Sequence, residues 1–204
     1  MYIPNKLEMK DDNAIIDFIA EFSFGLLISP DLEATHMPLL YVPEEGAKGQ
    51  LYGHFAKANP QWKQLEGERV LVIFNGPHAY ISPTWYTNKP AVPTWNYAAI
   101  HCYGTVELLS ENDAANTMDT LINKYEPELL SNKDIMPDDY QHKLRQAIVP
   151  FRIVVDKIQA KEKLGQHRKT GDQQGVYFAL QESQHPDANV LAEYMNKREL
   201  GTGK

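Results

Sequence analysis

The run Arg69-Val-Leu-Val-Ile-Phe74 sets five apolar residues side by side and is followed at once by Asn75-Gly76-Pro77. A short continuous apolar run between turn residues reads as a central strand buried on both faces, and Asn-Gly-Pro as the turn that ends it. Residues 78–86 then read as its hairpin partner. Residues 97–109 add a second constraint. Alternation there puts Ala98, Ile100, Cys102, Gly104, Val106 and Leu108 on one face, and Tyr97, Ala99, His101, Tyr103, Thr105 and Glu107 on the other. This is a long strand whose first face is the core side, with Cys102 buried as a small hydrophobe. Gly104 inside it marks a bulge or a close approach of another backbone.

The other segments alternate irregularly. Residues 11–22 set Ile15, Ile16, Ile19 and Phe22 on one helical face, with Asp12 or Asn13 as the N-cap. Residues 23–29 and 32–42 read as strands separated by a Pro-Asp turn, residues 50–58 as a third, and residues 151–160 as a late one. Helices are predicted at 110–126, opened by a Ser110–Asp113 capping box, and at 137–148, ended by Pro150. A helical hairpin broken at His185–Pro186 follows. Six or seven strands, mostly joined by hairpins, with helices at the start and in the second half, make an α+β pattern and not an alternating βαβ one. Without repeat or linker, residues 1–204 are expected to form one domain with a C-terminal helical extension at about 171–200.

The net charge of −7 argues against a general nucleic-acid footprint and leaves room for a local one. The single cysteine, Cys102, excludes an internal disulfide and a thiolate zinc site, and points to a reducing compartment. No run approaches the ~20 apolar residues of a membrane helix, and the opening "MYIPNKLEMKDD" has no apolar signal core. A cytoplasmic protein without a membrane span is expected. His36, His54, His78 and His101 show no metal spacing, there is no G-x-S-x-G elbow, and the carboxylates are scattered. No metal site and no catalytic residue is assigned.

Three segments are candidates for binding chemistry. In "GHFAKANPQW", residues 53–62, a lysine and an asparagine stand among small residues where a strand should end. Small residues let a ligand approach the backbone, the Lys57 ammonium suits a phosphate, and Asn59 donates further hydrogen bonds. The competing reading is a surface turn with a solvated lysine. "KIQAKEKLGQHRK", residues 157–169, is the most basic stretch of an acidic chain. It offers an anion contact through Lys163, Gln166 and Arg168, a nucleic-acid contact, or a solvated loop. "SPTWY" and "VPTWNY" flank a proline-rich loop and either wall a planar ring system or form a packed corner.

These same segments resemble the PaiB family, FMN-binding negative transcriptional regulators. The matching stretches run in order: "MYIP", "ATHMPLLY", "GHFAKANPQW", "LVIFNGPHAYISPTWY", "VPTWNYAAIHCYG", "FRI", "KLGQHRK" and "GVYFAL". The resemblance implies an α+β FMN-binding split β-barrel, like that of pyridoxamine 5'-phosphate oxidases, with peripheral and C-terminal helices. It also implies a homodimer with FMN at the subunit interface. In those terms Lys57 and Asn59, with His54 beside them, hold the flavin phosphate, and His36 lines the isoalloxazine. Trp95 and Asn96 come from the partner subunit, and Gln166 and Arg168 from the late basic segment. The chain departs from the family pattern in having Lys at 57 for a usual Arg, which keeps the charge and loses the bidentate fork. It also has Gly165-Gln166-His167-Arg168 where Ser-Gln-Asn-Arg is common.

The resemblance implies a regulator acting through DNA or a regulatory protein partner. An FMN-dependent oxidoreductase acting on a small molecule is the alternative, since a flavin carries its own redox chemistry. A split barrel binding haem or no cofactor is a third reading, because seven histidines supply potential axial ligands.

Overall fold

The computed structural model describes the backbone of residues 1–204, and the side chains of all but residues 111–117. The expected Ser110–Asp113 capping box therefore lies outside the described residues. The strands are β1 (Phe24–Ile28), β2 (Ala34–Pro38), β3 (Leu40–Val42), β4 (Gln50–Ala56), β5 (Arg69–Ile81), β6 (Thr94–Leu108) and β7 (Ile148–Lys163). The helices are α1 (Asp12–Glu21), α2 (Glu111–Tyr125), α3 (Asp138–Arg145), α4 (Thr170–Gln181) and α5 (Pro186–Lys197). The chain divides into two compact units, one of residues 1–18, 75–100 and 159–204, the other of residues 19–74 and 101–158.

The apolar run at 70–74 lies in β5, third in the seven-stranded order β2-β1-β5-β6-β7-β4-β3. Val70, Val72 and Phe74 are buried and Leu71 and Ile73 half-buried, so one face is core and the other partly covered. The turn expected at Asn75-Gly76-Pro77 is absent, and β5 runs straight through it to Ile81. Gly76 serves a close approach instead, since a Cβ there would stand 2.5 Å from the Phe18 ring. Pro77 is tolerated because β1 pairs with β5 only over Leu71–Ile73 and leaves this stretch without a β1 partner.

A larger departure concerns residues 32–42, which form two strands and not one. Antiparallel β2 pairs with β1, and β3 pairs with β4. These strands occupy opposite ends of the sheet order, yet only Leu39 separates them in sequence. The sheet must therefore curl until its two edges meet. Leu39 is fully buried at the junction and donates its N–H to the Ser23 carbonyl at 2.9 Å. A Cβ on Gly25 of β1 would stand 3.2 Å from Leu39 Cδ1, and one on Gly53 of β4 would stand 2.7 Å from Leu39 Cδ2. The two glycines make room for one leucine from both sides.

In the same unit, Leu27, Leu51, Phe55, Val72, Phe74, Val106, Phe151 and Ile153 form the interior, with the Phe55 and Phe151 rings 4.9 Å apart. Cys102 joins them, and burial pushes its thiol up to about 12, so it is an inert core residue. Gly104 marks a close backbone approach, because a Cβ there would stand 2.4 Å from the Val154 carbonyl oxygen. Strand β7 starts at Ile148, so Pro150 lies inside it opposite His54 and does not terminate α3.

In the other unit, α4 and α5 form the expected hairpin, with Pro186 in the first turn of α5. Phe18, Ile81, Leu164, Leu180, Leu191 and Met195 fill its interior. Glu162 is buried and fully partnered, by Arg198 at 2.7 Å and by the Tyr194 hydroxyl at 2.6 Å. Helix α1 opens one residue before the expected cap, where the Asp11 carboxylate accepts from the Asn13 N–H at 3.0 Å.

Truncating the closure residue should be costly. Leu39→Ala is expected to lower the unfolding free energy by about 3 kcal/mol, measured by urea denaturation, because it leaves a cavity between two backbones that cannot collapse onto it.

Candidate functional site

The turn after β4 is assembled by hydrogen bonds from three segments. Asn59 caps the short 3₁₀ turn Pro60–Gln64, its side-chain oxygen accepting from the Gln61 N–H at 3.0 Å. Its amide nitrogen donates to Thr35 Oγ1 at 3.1 Å, so one amide N–H remains for another acceptor. Thr35 donates to Gln61 Oε1 at 2.5 Å, and buried Gln61 donates to the Glu33 carbonyl at 2.9 Å. Strand β2 is thereby tied to the turn.

Lys57 is held through its backbone. Its N–H donates to the Ala147 carbonyl at 2.8 Å, and its carbonyl accepts from Trp62 Nε1 at 3.1 Å. The ammonium itself is exposed between Ala56 and Ala58 and has no ion pair among the described residues. His54, three residues earlier on β4, is half-buried, and its Nδ1 is buried without a hydrogen-bond partner among the described residues. Burial lowers its pKa, which keeps the ring neutral at pH 7. A neutral imidazole with a free nitrogen is a hydrogen-bonding position waiting for a partner. His36 is exposed on β2 opposite Leu26, its ring stacked on Phe24 at 6.0 Å.

The other four expected residues lie in the unit of residues 1–18, 75–100 and 159–204. Trp95 is half exposed at the start of β6, with His78 at 5.6 Å and Tyr80 edge-on at 6.5 Å between ring centres. Lys163 fixes this strand start, donating to Thr94 Oγ1 at 2.5 Å and to the Trp95 carbonyl at 2.7 Å. Asn96 is buried. Gly165 opens the turn at φ +80°, a conformation that favours glycine and accounts for the absence of a side chain there. Gln166 is spent on the same turn, accepting from the Leu164 N–H at 2.9 Å and donating to the Glu162 carbonyl at 2.7 Å. The Arg168 guanidinium lies over the Tyr86 ring at 4.7 Å.

Three charges bear on His167, all of one sign. Burial first, then Lys6, Arg168 and Lys163, lower its pKa. None of these three cations has an ion pair among the described residues. A positive group left uncompensated in an acidic chain attracts anions. Lys6 was invisible to sequence reasoning because almost the whole chain separates it from Arg168. The basic stretch at 157–169 is no solvated loop, since most of it is the end of β7. Lys161 is buried, donating to the Tyr2 carbonyl at 3.0 Å and lying over Tyr97.

Asp172 is a further residue that spacing did not suggest. It is buried and accepts from Thr87 Oγ1 and the Asn88 N–H, each at 2.9 Å, and from the Asn88 side chain at 3.0 Å. These bonds, the Asn88 backbone N–H first, hold its carboxyl down at about 2. They anchor the segment after the Pro83–Trp85 turn to the start of α4.

The family described as "Putative FMN-binding domain" matches residues 1–157. A Bacillus subtilis protein named "Protease synthase and sporulation protein PAI 2" is 37% identical over 206 residues, covering 97% of this chain and 98% of the relative. The chain belongs to the PaiB family of FMN-binding proteins. PaiB-like sequence extends to fungi, where an Emericella nidulans protein is 32% identical over 83% of both chains. The fold is the flavin-binding split β-barrel. Two solved structures share it at a TM-score of 0.58. The FAD and haem binding protein of Mycobacterium smegmatis is 14% identical, covering 78% of this chain and 74% of its own. The flavocytochrome Anf3 of Azotobacter vinelandii is 12% identical, covering 80% and 73%.

FMN is the cofactor of this PaiB family, and the residues present fit it. An unpaired ammonium at a turn of small residues and, on the strand before it, an imidazole nitrogen without a partner are groups suited to a phosphate-bearing ring system. Among the described residues no group of three or more His, Cys, Asp or Glu stands together to hold a metal ion, and no helix is long and apolar enough to cross a membrane.

The Asp172 anchor has a pH signature. Its carboxyl is depressed in the folded state, so its contribution is present above the unfolded pKa of about 3.9 and is lost as pH falls towards 2. Asp172→Asn is expected to lower Tm at pH 7 and to flatten the fall in Tm between pH 4 and 2, read by thermal melts across that range.

Proposed function

We propose that this protein is a PaiB-type regulator that binds FMN as a homodimer in the cytoplasm and restrains transcription. The observations that carry the flavin half are the exposed Lys57 ammonium without an ion pair among the described residues and, three residues earlier on β4, the unpartnered Nδ1 of His54. Lys57 would neutralise the FMN phosphate, and the spare N–H of Asn59 would add a hydrogen bond. The Thr35–Asn59–Gln61 bonds would keep that donor in place before the ligand arrives. His36 would stand beside the ring on β2. Trp95 and Asn96 of the partner subunit would close over it, with Arg168 from the turn that Gly165 opens and that the Gln166 side chain holds in shape. When bound, FMN supplies the redox chemistry. The residues bind and orient it, and no acid or base is assigned among them.

The regulatory half rests on family resemblance and on the name of the Bacillus subtilis relative, "Protease synthase and sporulation protein PAI 2". A protein partner fits better than broad DNA contact. The net charge is −7, and within 157–169 Lys161 and Lys163 are turned to internal bonds.

The test is an FMN titration of purified protein followed by flavin fluorescence. Wild type is expected to saturate at one FMN per chain. Lys57→Ala should weaken binding by about tenfold to a hundredfold, the worth of one charged phosphate contact. Equal affinity in the variant would remove Lys57 from the phosphate site, and no binding by wild type would overturn the flavin reading for this chain.

A further inference from the structure

A further cavity stands in the unit formed by residues 1–18, 75–100 and 159–204, and of its lining the flavin reading uses only Trp95. A cavity of about 390 Å³ is lined by Tyr80, Trp85, Trp95, His78, His185 and Asp187, over a floor that includes Ala79 and Ala188. Its size is that of a small-molecule site.

The lining has one chemical character. His78 and Tyr80 project from the same face of β5, both exposed, with the Trp95 ring against them. Trp85 comes from the other side, on the turn Pro83–Trp85 that Ser82 caps by accepting from the Thr84 N–H at 3.2 Å. This turn has little freedom. A Cβ on Gly175 of α4 would stand 2.2 Å from the Trp85 carbonyl oxygen, so the helix backbone lies directly against it. Asp172 holds the next residues, Thr87 and Asn88. The backbone that carries Trp85 is thus set before any ligand binds.

Asp187, in the first turn of α5, is the one carboxylate in the lining, and no lysine or arginine faces the cavity. Aromatic faces carry negative electrostatic potential and attract cations, and a nearby carboxylate adds to that attraction. An anion would find no lysine or arginine here, which separates this cavity from the cationic group around His167 in charge as well as in lining residues.

We propose that this cavity binds a small organic cation, a quaternary or protonated amine held between Trp85, Trp95 and Tyr80 with Asp187 as counter-charge. It shares only Trp95 with the flavin reading, and it gives the protein a second small molecule to sense.

The test is a titration of the full chain at pH 8 with benzyltrimethylammonium, followed by tryptophan fluorescence and calorimetry. Benzenesulfonate and benzyl alcohol are the anionic and neutral comparators, and FMN titrations are run on the same samples. Saturable one-to-one binding of the cation is expected, at least about fivefold tighter than either comparator. Asp187→Asn and, separately, Trp85→Leu should each weaken it about fivefold or more while FMN affinity and Tm stay at wild-type values. No saturable binding of the cation, or equal binding of the comparators, overturns the proposal. Competition between FMN and the cation, or loss of FMN affinity in either variant, would assign the cavity to the flavin and also overturn it. Failure of the FMN titration alone would sink the flavin reading and leave this one standing.

Discussion

Closure at Leu39 is the constraint on which the barrel depends. Strands at opposite ends of a seven-stranded order are joined by one residue, and a chain spans at most about 3.6 Å per residue. The sheet has no way to satisfy that link except by bringing its edges together. Gly25 and Gly53 let the two flanking backbones come within contact of the Leu39 side chain, and closure also leaves fewer open edges to attract foreign strands. The turn bearing Lys57 and Asn59 inherits its position from this arrangement, because β4, which leads into it, and Thr35 on β2, which bonds to it, sit on either side of the junction.

The binding features in the two units share a physical logic. Polar side chains that shape the backbone are fully spent, as with Gln61, Gln166 and Asp172, each of which satisfies two or more partners. Groups suited to a ligand are left unspent. Lys57, Arg168 and Lys6 lack ion pairs among the described residues, and His54 holds an unpartnered buried nitrogen. Unsatisfied polar groups cost free energy in the unbound protein, and a ligand that satisfies them recovers it on binding. The division of labour is clear at Asn59, which caps its own turn and retains one donor.

Much of this was legible in the sequence where a local signal exists. The alternation over residues 97–108, the burial of Cys102 and the close approach at Gly104 all follow from period-two patterning and from glycine's missing side chain. The break at His185–Pro186 is equally local. Where two local signals conflicted, the reading failed. Asn75-Gly76-Pro77 has turn chemistry, but the glycine is there for Phe18 and the strand continues. Residues 32–42 look like one extended segment, and nothing in their composition says that the pairing partner changes at Leu39. The basic stretch at 157–169 left a solvated loop open as one reading because its charges hide that Ala160, Lys161 and Glu162 are all buried at the end of β7.

The sequence by itself determined the family, the class of fold and the core face of the long strand, because those depend on short-range periodicity and on motifs read in order. Tertiary structure alone decided which residues share a site. Lys6 stands with Arg168, Asp172 with Asn88, and Asp187 with Trp85 and Trp95, each pair drawn from distant parts of the chain. Such neighbours arise from strand pairing and helix packing, whose energies depend on burial and shape summed over many residues. No local pattern encodes them, so the charge left uncompensated and the walls of the aromatic cavity appear only once the chain is folded.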